Sequence, residues 1–130
     1  MAAKAGIYPY KDNNFKDYLS SIIQKKNQII KNICVDASVS ERMFFHIRSG
    51  KFLPKPSLIA IAIALDLTNE EINVFLNKAG YVLSDSIYYD AVIKYLLLNR
   101  KNKNGNKLLL QINDVLYSLD LPLLMTRSIW

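Results

Sequence analysis

A short stretch of the sequence places polar side chains at a spacing that suits recognition of another molecule. Glu41, Arg42 and His46 lie within six residues of one another. In an α-helix they occupy the side opposite Phe44 and Ile47, whose three-residue spacing predicts a buried face. A carboxylate, a guanidinium and an imidazole on one helix face donate and accept hydrogen bonds. The chemistry predicted here is hydrogen bonding to a polar surface.

Catalytic chemistry has little support elsewhere in the sequence. The chain has one His and one Cys, which leaves no cluster of metal ligands. It has four Gly and no glycine-rich phosphate loop, and no Ser/His/Asp spacing suits a nucleophile. The pairs Asp85 with Asp90 and Glu70 with Glu71 are explained by helix caps and helix surfaces. We therefore expect a protein that is not an enzyme and that needs no cofactor and no metal.

The distribution of charge favours a polyanionic partner. The chain has 130 residues, is 51% hydrophobic and has a formal net charge of +6, which predicts one domain with a hydrophobic core. Residues 1–56 contain ten Lys/Arg and four Asp/Glu, whereas residues 57–130 contain seven of each. The excess positive charge thus lies in the half that contains the polar stretch. The alternative is that Lys is simply abundant in this chain.

The residues around the polar stretch predict two short helices joined by a turn. Ile33, Cys34 and Ala37 lie one, three and four residues apart, which places them on one face of the first helix. Val39 then fills the turn, and Ser40 is a natural N-cap for the second helix. Two helices that cross at a large angle, with the second presented to the major groove of DNA, form a helix-turn-helix.

At residues 30–51 the sequence resembles the helix-turn-helix of Cro and the lambdoid phage repressors, the XRE family. The likeness continues through Gly50, the loop prolines Pro54 and Pro56, and an Ala/Leu-rich helix, so that residues 14–80 match in order and spacing. The resemblance implies an all-α protein: a five-helix lambda-repressor-like DNA-binding domain with two additional C-terminal helices. It also implies a transcriptional regulator that reads double-stranded DNA with the helix 40–49.

Two positions depart from the family pattern. Ser38 stands where many members have Gly, and it is strained if the turn needs a left-handed conformation. Ile30 stands where many members have a Gln that donates to a phosphate, and Gln28 is a substitute donor.

The resemblance implies that Glu41, Arg42 and His46 read bases and that Lys51 contacts a phosphate. To these we add Phe45 as a candidate base-reading residue, and as candidate contacts with the DNA backbone Gln28, Ser40, Arg48, Ser49 and Lys55. Arg42 suits a bidentate contact with guanine, Glu41 accepts from a cytosine amino group, and His46 donates to the groove edge. Alternatively, Glu41 stabilises the helix dipole and His46 is a solvated surface residue. Phe45 either contacts a thymine methyl group or packs sideways on a neighbour.

The other predicted helices surround this motif. Gly50 suits a left-handed helix end, and a helix over residues 56–65 is apolar on nearly all sides, which predicts burial. Thr68 and Glu71 have the spacing of a capping box. Two more helices are predicted over residues 87–99 and 107–119.

We expect three segments: a flexible N-terminal arm (residues 1–12), a helix-turn-helix domain (13–83) and a C-terminal helical extension (84–130). The extension resembles one found in a bacterial subset that has "AGY-L-S" after the fifth helix, here beginning at Ala79, and "PLL" near the end, here beginning at Pro122. Its many apolar residues either wrap the five-helix unit or form a homodimer surface.

A cytoplasmic protein is expected, with no membrane contact. One Cys forms no internal disulfide, no signal peptide is evident, and the longest apolar run, Leu58 to Leu65, has eight residues. An alternative function is protein binding, as an antitoxin, an adaptor or a phage-encoded inhibitor, which the apolar extension and Phe45 favour.

Overall fold

The computed structural model describes residues 13–101 and 105–124, and these residues form seven α-helices and no strand. The prediction of an all-α protein is confirmed. The predicted arm, residues 1–12, lies outside the described residues. The helices are α1 (Asn13–Lys25), α2 (Ile30–Ala37), α3 (Glu41–Arg48), α4 (Lys55–Ala64), α5 (Asn69–Lys78), α6 (Tyr88–Leu98) and α7 (Gly105–Ser118).

Helix α4 forms the centre of the hydrophobic core. Residues 57–64 are all buried, because α2, α5 and α7 pack around this helix. The predicted burial is confirmed, although the helix begins at Lys55, one residue earlier than expected. Pro54 is its N-cap, and Pro56 lies in the first turn, where its missing N–H costs no hydrogen bond. The position of α4 fixes α2, which in turn places α3.

The turn between α2 and α3 has the predicted features. Ser38 is left-handed, with φ +57° and ψ +42°, and the backbone N–H of Val39 donates to the Cys34 carbonyl at 3.0 Å. Val39 is fully buried. The Ser40 Oγ accepts from the Met43 N–H at 3.0 Å, so Ser40 is the N-cap of α3. This turn therefore sets the direction in which α3 begins.

Ser38→Gly is expected to raise the free energy of unfolding by about 0.5–1 kcal/mol. A left-handed conformation costs a residue with a Cβ roughly 1–2 kcal/mol, and the extra freedom of glycine in the unfolded chain offsets about half of this. Urea unfolding measures the change. Ser49→Gly is the matched control, because Ser49 has φ −64° and the substitution there should lower stability. Equal changes in the free energy of unfolding for the two variants would contradict the inference that Ser38 is strained.

The start of α5 is fixed to the end of α1. Thr68 and Glu71 form the predicted capping box, with the Thr68 N–H donating to the Glu71 Oε1 at 2.9 Å. The Lys26 Nζ lies 3.3 Å from the same oxygen. The hydrogen bond from the Thr68 backbone, helped by Lys26, lowers the pKa of the Glu71 carboxyl below its usual value. The carboxylate therefore stays ionised and links the two helices.

The two C-terminal helices complete the core. Helix α7 packs against α2 and α4, and its buried residues are Leu108, Leu109, Ile112 and Leu116. It begins at Gly105, two residues before the predicted start at residue 107. Helix α6 buries Asp90, Ile93 and Leu97. Within the described residues, no helix has both the length and the apolar character that crossing a membrane requires.

Candidate nucleic-acid interface

Helix α3 has one anchored face and one exposed face. Phe44 and Ile47 are fully buried, whereas Arg42, Phe45 and His46 are exposed. Glu41, in the first turn, is exposed as well. The structure therefore brings the four predicted base-reading residues together on one accessible helix.

This exposed face borders an open concavity of about 570 Å³. Its walls are mostly apolar, and the residues that line it are Ser40, Arg42, Met43, Phe45, His46 and Ser49. Sequence reasoning missed Met43. Met43 lies one helical turn before the buried Ile47 and packs against the core, but its long side chain stays partly exposed. Arg42 and His46 place one guanidinium and one imidazole among these mostly apolar walls.

The Phe45 ring is partly packed against two neighbours and partly exposed. Its ring meets the buried Phe44 ring edge-on at a centroid distance of 5.8 Å. The Arg48 guanidinium carbon lies 4.9 Å from the centre of the Phe45 ring, which is a cation–π contact. Even so, 43% of Phe45 remains exposed. Both neighbours hold the ring in place while leaving part of it open to a ligand.

His46 has an aromatic neighbour that the sequence did not indicate. Its ring centre lies 5.5 Å from that of Phe52, with the two planes tilted by 41°. Phe52 is in the loop after α3 and is half-exposed. The imidazole is therefore exposed to solvent and has the Phe52 ring beside it.

At the end of α3, Ser49, one of the predicted DNA-backbone contacts, makes a hydrogen bond within its own helix turn. The Ser49 hydroxyl donates to the His46 carbonyl oxygen at 2.6 Å. Because a serine hydroxyl has a single hydrogen, Ser49 has none left for a phosphate oxygen. Gly50 has φ +84°, as predicted for this helix end. Lys51 follows with an exposed side chain.

Gln28 lies on a different concavity from the α3 face. This smaller concavity has a volume of about 220 Å³ and is lined by Ser20, Ile23, Gln24, Asn27, Gln28, Ile30 and Arg48. Arg48 therefore borders both Phe45 and the end of α1. The polar residues Gln24 and Asn27 were not predicted here, because they come together only when α1 packs beside α3.

Lys55 is held away from the candidate interface. Its Nζ lies 2.7 Å from the Asp90 Oδ2, and the two side chains are 21% and 3% exposed. The same carboxylate oxygen accepts from the Ser84 N–H at 3.1 Å. The geometry thus gives Lys55 a structural partner instead of the predicted phosphate. The expectation that a cap or a helix surface explains Asp90 is wrong, because Asp90 is buried in this ion pair.

The segment 40–51 is electropositive. It contains Arg42, Arg48 and Lys51 against the single carboxylate of Glu41. Within residues 13–101 and 105–124, the ion pairs present involve none of these three cations. Their charges are therefore available to an anionic ligand.

Comparisons with models of known families, with curated proteins and with solved structures find no match to this chain. The resemblance to the XRE family therefore stays a prediction from the residues themselves. Across the described part of the chain, no three His, Cys, Asp or Glu residues are grouped to hold a metal ion. The exposed face of α3 is the candidate functional site.

Proposed function

We propose that this chain is a sequence-specific DNA-binding protein, a transcriptional regulator that inserts α3 into the major groove. The observation that supports this most strongly is the arrangement of α3, which is anchored by Phe44 and Ile47 and exposes Arg42, Phe45 and His46. In this proposal α2, the turn and α3 form a helix-turn-helix, and α1 to α5 form a lambda-repressor-like unit.

Three exposed side chains of α3 supply polar base contacts in this proposal. The Arg42 guanidinium donates to the O6 and N7 atoms of a guanine, and the Glu41 carboxylate accepts from a cytosine amino group. His46, beside the Phe52 ring, donates to an acceptor on the groove edge. Each such contact contributes about 1–3 kcal/mol of discrimination between bases.

Fewer residues contact the DNA backbone than the sequence suggested. Lys51 and Arg48 supply positive charge, Gln28 supplies an amide donor, and the Ser40 hydroxyl retains its hydrogen because it only accepts in the cap. We leave Ser49 and Lys55 out of the set, because the Ser49 hydrogen is donated to His46 and the Lys55 ammonium is paired with Asp90.

The proposal includes a homodimer formed through α6. Tyr95 and Leu98 on this helix are 65% and 61% exposed. Tyr88, two helical turns before Tyr95, is exposed to a similar extent. All three side chains are aromatic or aliphatic, as is typical of the centre of an interface between two protein chains. A two-fold dimer reads two half-sites about 34–36 Å apart, one turn of DNA.

The decisive experiment is selection of duplexes from random DNA, followed by titration of the purified chain across a range of salt concentrations. Lys51 and Arg48 neutralise two phosphates per chain in this proposal, so affinity falls about tenfold between roughly 50 and 200 mM salt for one chain and about a hundredfold for a dimer. Two chains per palindromic duplex are expected. Failure to enrich any duplex, or affinity that does not change with salt, would contradict the proposal.

A second candidate function is binding of a protein partner. Exposed apolar residues on α6, together with the mostly apolar concavity beside α3, favour it. Purification from cells that express the chain would then recover one stoichiometric protein partner and no duplex. Tyr95→Glu separates the two functions. It should abolish recovery of a partner bound at α6, whereas the chain should still select DNA through the unchanged α3, with lower affinity and as one chain on each half-site.

A further inference from the structure

We infer that Phe45 recognises the 5-methyl group of a pyrimidine in the major groove. The inference rests on the proposed function and adds the chemical group that the apolar part of the site binds. In an unmodified duplex that group belongs to thymine. A 5-methylcytosine presents the same methyl group at the same position of the ring.

The ring of Phe45 is held as a fixed apolar surface. Arg48 covers the ring from one side at 4.9 Å, and the fully buried Phe44 supports its edge. A side chain held by two neighbours loses little conformational entropy when a ligand binds. The exposed 43% of Phe45 is therefore a ready contact surface for an apolar group.

The surroundings of the ring suit a methyl group better than a polar base edge. Met43 and Phe45 line the concavity, and its walls are mostly apolar. Of the groups that base pairs expose in the major groove, the 5-methyl group offers the largest apolar surface, and most of the others are hydrogen-bond donors or acceptors. A donor or acceptor placed against Phe45 would lose water without gaining a partner.

The position of Arg42 sets where this pyrimidine lies in the binding site. Arg42 precedes Phe45 by three residues and lines the same concavity, so their Cβ atoms are about 5–6 Å apart along the helix. Successive base pairs are separated by about 3.4 Å. The methyl-bearing pyrimidine is therefore within two base pairs of the guanine that Arg42 binds.

The test replaces each thymine of a selected duplex with uracil, which removes only the methyl group. At one thymine near the guanine, affinity should fall about fourfold, the effect of losing one buried methyl contact. In Phe45→Ala, duplexes with thymine and with uracil at that position should bind equally. Phe45→Gln gives the same readout with a bulkier side chain should the alanine variant fold poorly. Tyr117→Ala, an exposed aromatic residue on α7, is the matched control and should keep the fourfold difference.

A second arm distinguishes the two sources of the methyl group. The critical T·A pair is changed to C·G, with and without a 5-methyl group on the cytosine. Recovery of about fourfold with 5-methylcytosine shows that the site accepts both sources. No recovery, together with the loss at uracil, restricts the methyl-reading site to thymine.

Two outcomes overturn the inference and leave DNA binding intact. One is selective, salt-dependent binding that changes less than twofold at every uracil substitution. The other is a loss at uracil that persists in Phe45→Ala. By contrast, failure to enrich any duplex overturns the proposed function itself, so the two failures are distinguishable.

Discussion

Arg42→Ala is expected to lower affinity for the selected duplex by roughly 10- to 100-fold and to remove the preference for guanine at one position. A bidentate contact between a guanidinium and guanine supplies about 1–3 kcal/mol of discrimination. Arg42 is exposed on α3 and lines the concavity beside it, so the substitution removes the contact without disturbing the core. Titration with the selected duplex and with its three variants at that base pair measures the loss.

Lys51→Ala is the control for Arg42, since it also removes one exposed positive charge near α3. It should weaken binding to all duplexes about equally and reduce the slope of log affinity against log salt by about one. Circular dichroism should show unchanged helix content in both variants. If Arg42→Ala behaves like Lys51→Ala, with the base preference intact, then Arg42 does not read a base.

Asp90→Ala is expected to lower the free energy of unfolding by about 3 kcal/mol. Removing one partner of a buried ion pair leaves the other charge without compensation, which typically costs about 3–5 kcal/mol. The Asp90 side chain is only 3% exposed, so the pair counts as buried. The lower end of that range applies because the Lys55 side chain, at 21% exposure, retains some access to water. The Ser84 N–H also loses its acceptor. Urea unfolding of the variant measures the change.

Asp85→Ala is the matched control for Asp90. The Asp85 carboxylate lies 3.1 Å from the Lys94 Nζ, but its side chain is 81% exposed. An exposed ion pair contributes about 0.2–1 kcal/mol, so the free energy of unfolding of this variant should be close to that of the unchanged protein. Adding Lys55→Met to Asp90→Ala should recover part of the stability, since it removes the uncompensated charge. Similar losses at Asp85 and Asp90 would contradict the structural role of the Lys55–Asp90 pair.

Short-range patterns predicted much of the helical framework. The N-cap at Ser40, the capping box at Thr68 and the left-handed Gly50 each depend on residues within one turn of the chain. The burial of α4 follows from composition alone, because a helix that is apolar on all sides has no face to present to water. Such features are local, so the sequence is sufficient to predict them.

Contacts between distant residues could not be predicted in the same way. Lys55 and Asp90 are 35 residues apart in the chain, and no periodicity relates an ammonium to a carboxylate at that distance. Arg48 covers Phe45 at an ordinary helical spacing, but its choice of an aromatic face over solvent depends on side-chain rotamers. The hydrogen bond from Ser49 to the His46 carbonyl is likewise a rotamer choice. These contacts decide which of the predicted residues remain available to a ligand.

The way in which α7 covers α2 and α4 limits how the molecule can be divided. Four leucine and isoleucine side chains of α7 are buried, and Leu124, beyond that helix, is buried and donates its N–H to the Asn113 side chain at 2.8 Å. A fragment truncated at residue 83 would expose the apolar sides of α2 and α4 and leave the Lys55 ammonium without its carboxylate. The smallest piece that can be transplanted into a fusion protein as an autonomous module therefore extends to Leu124.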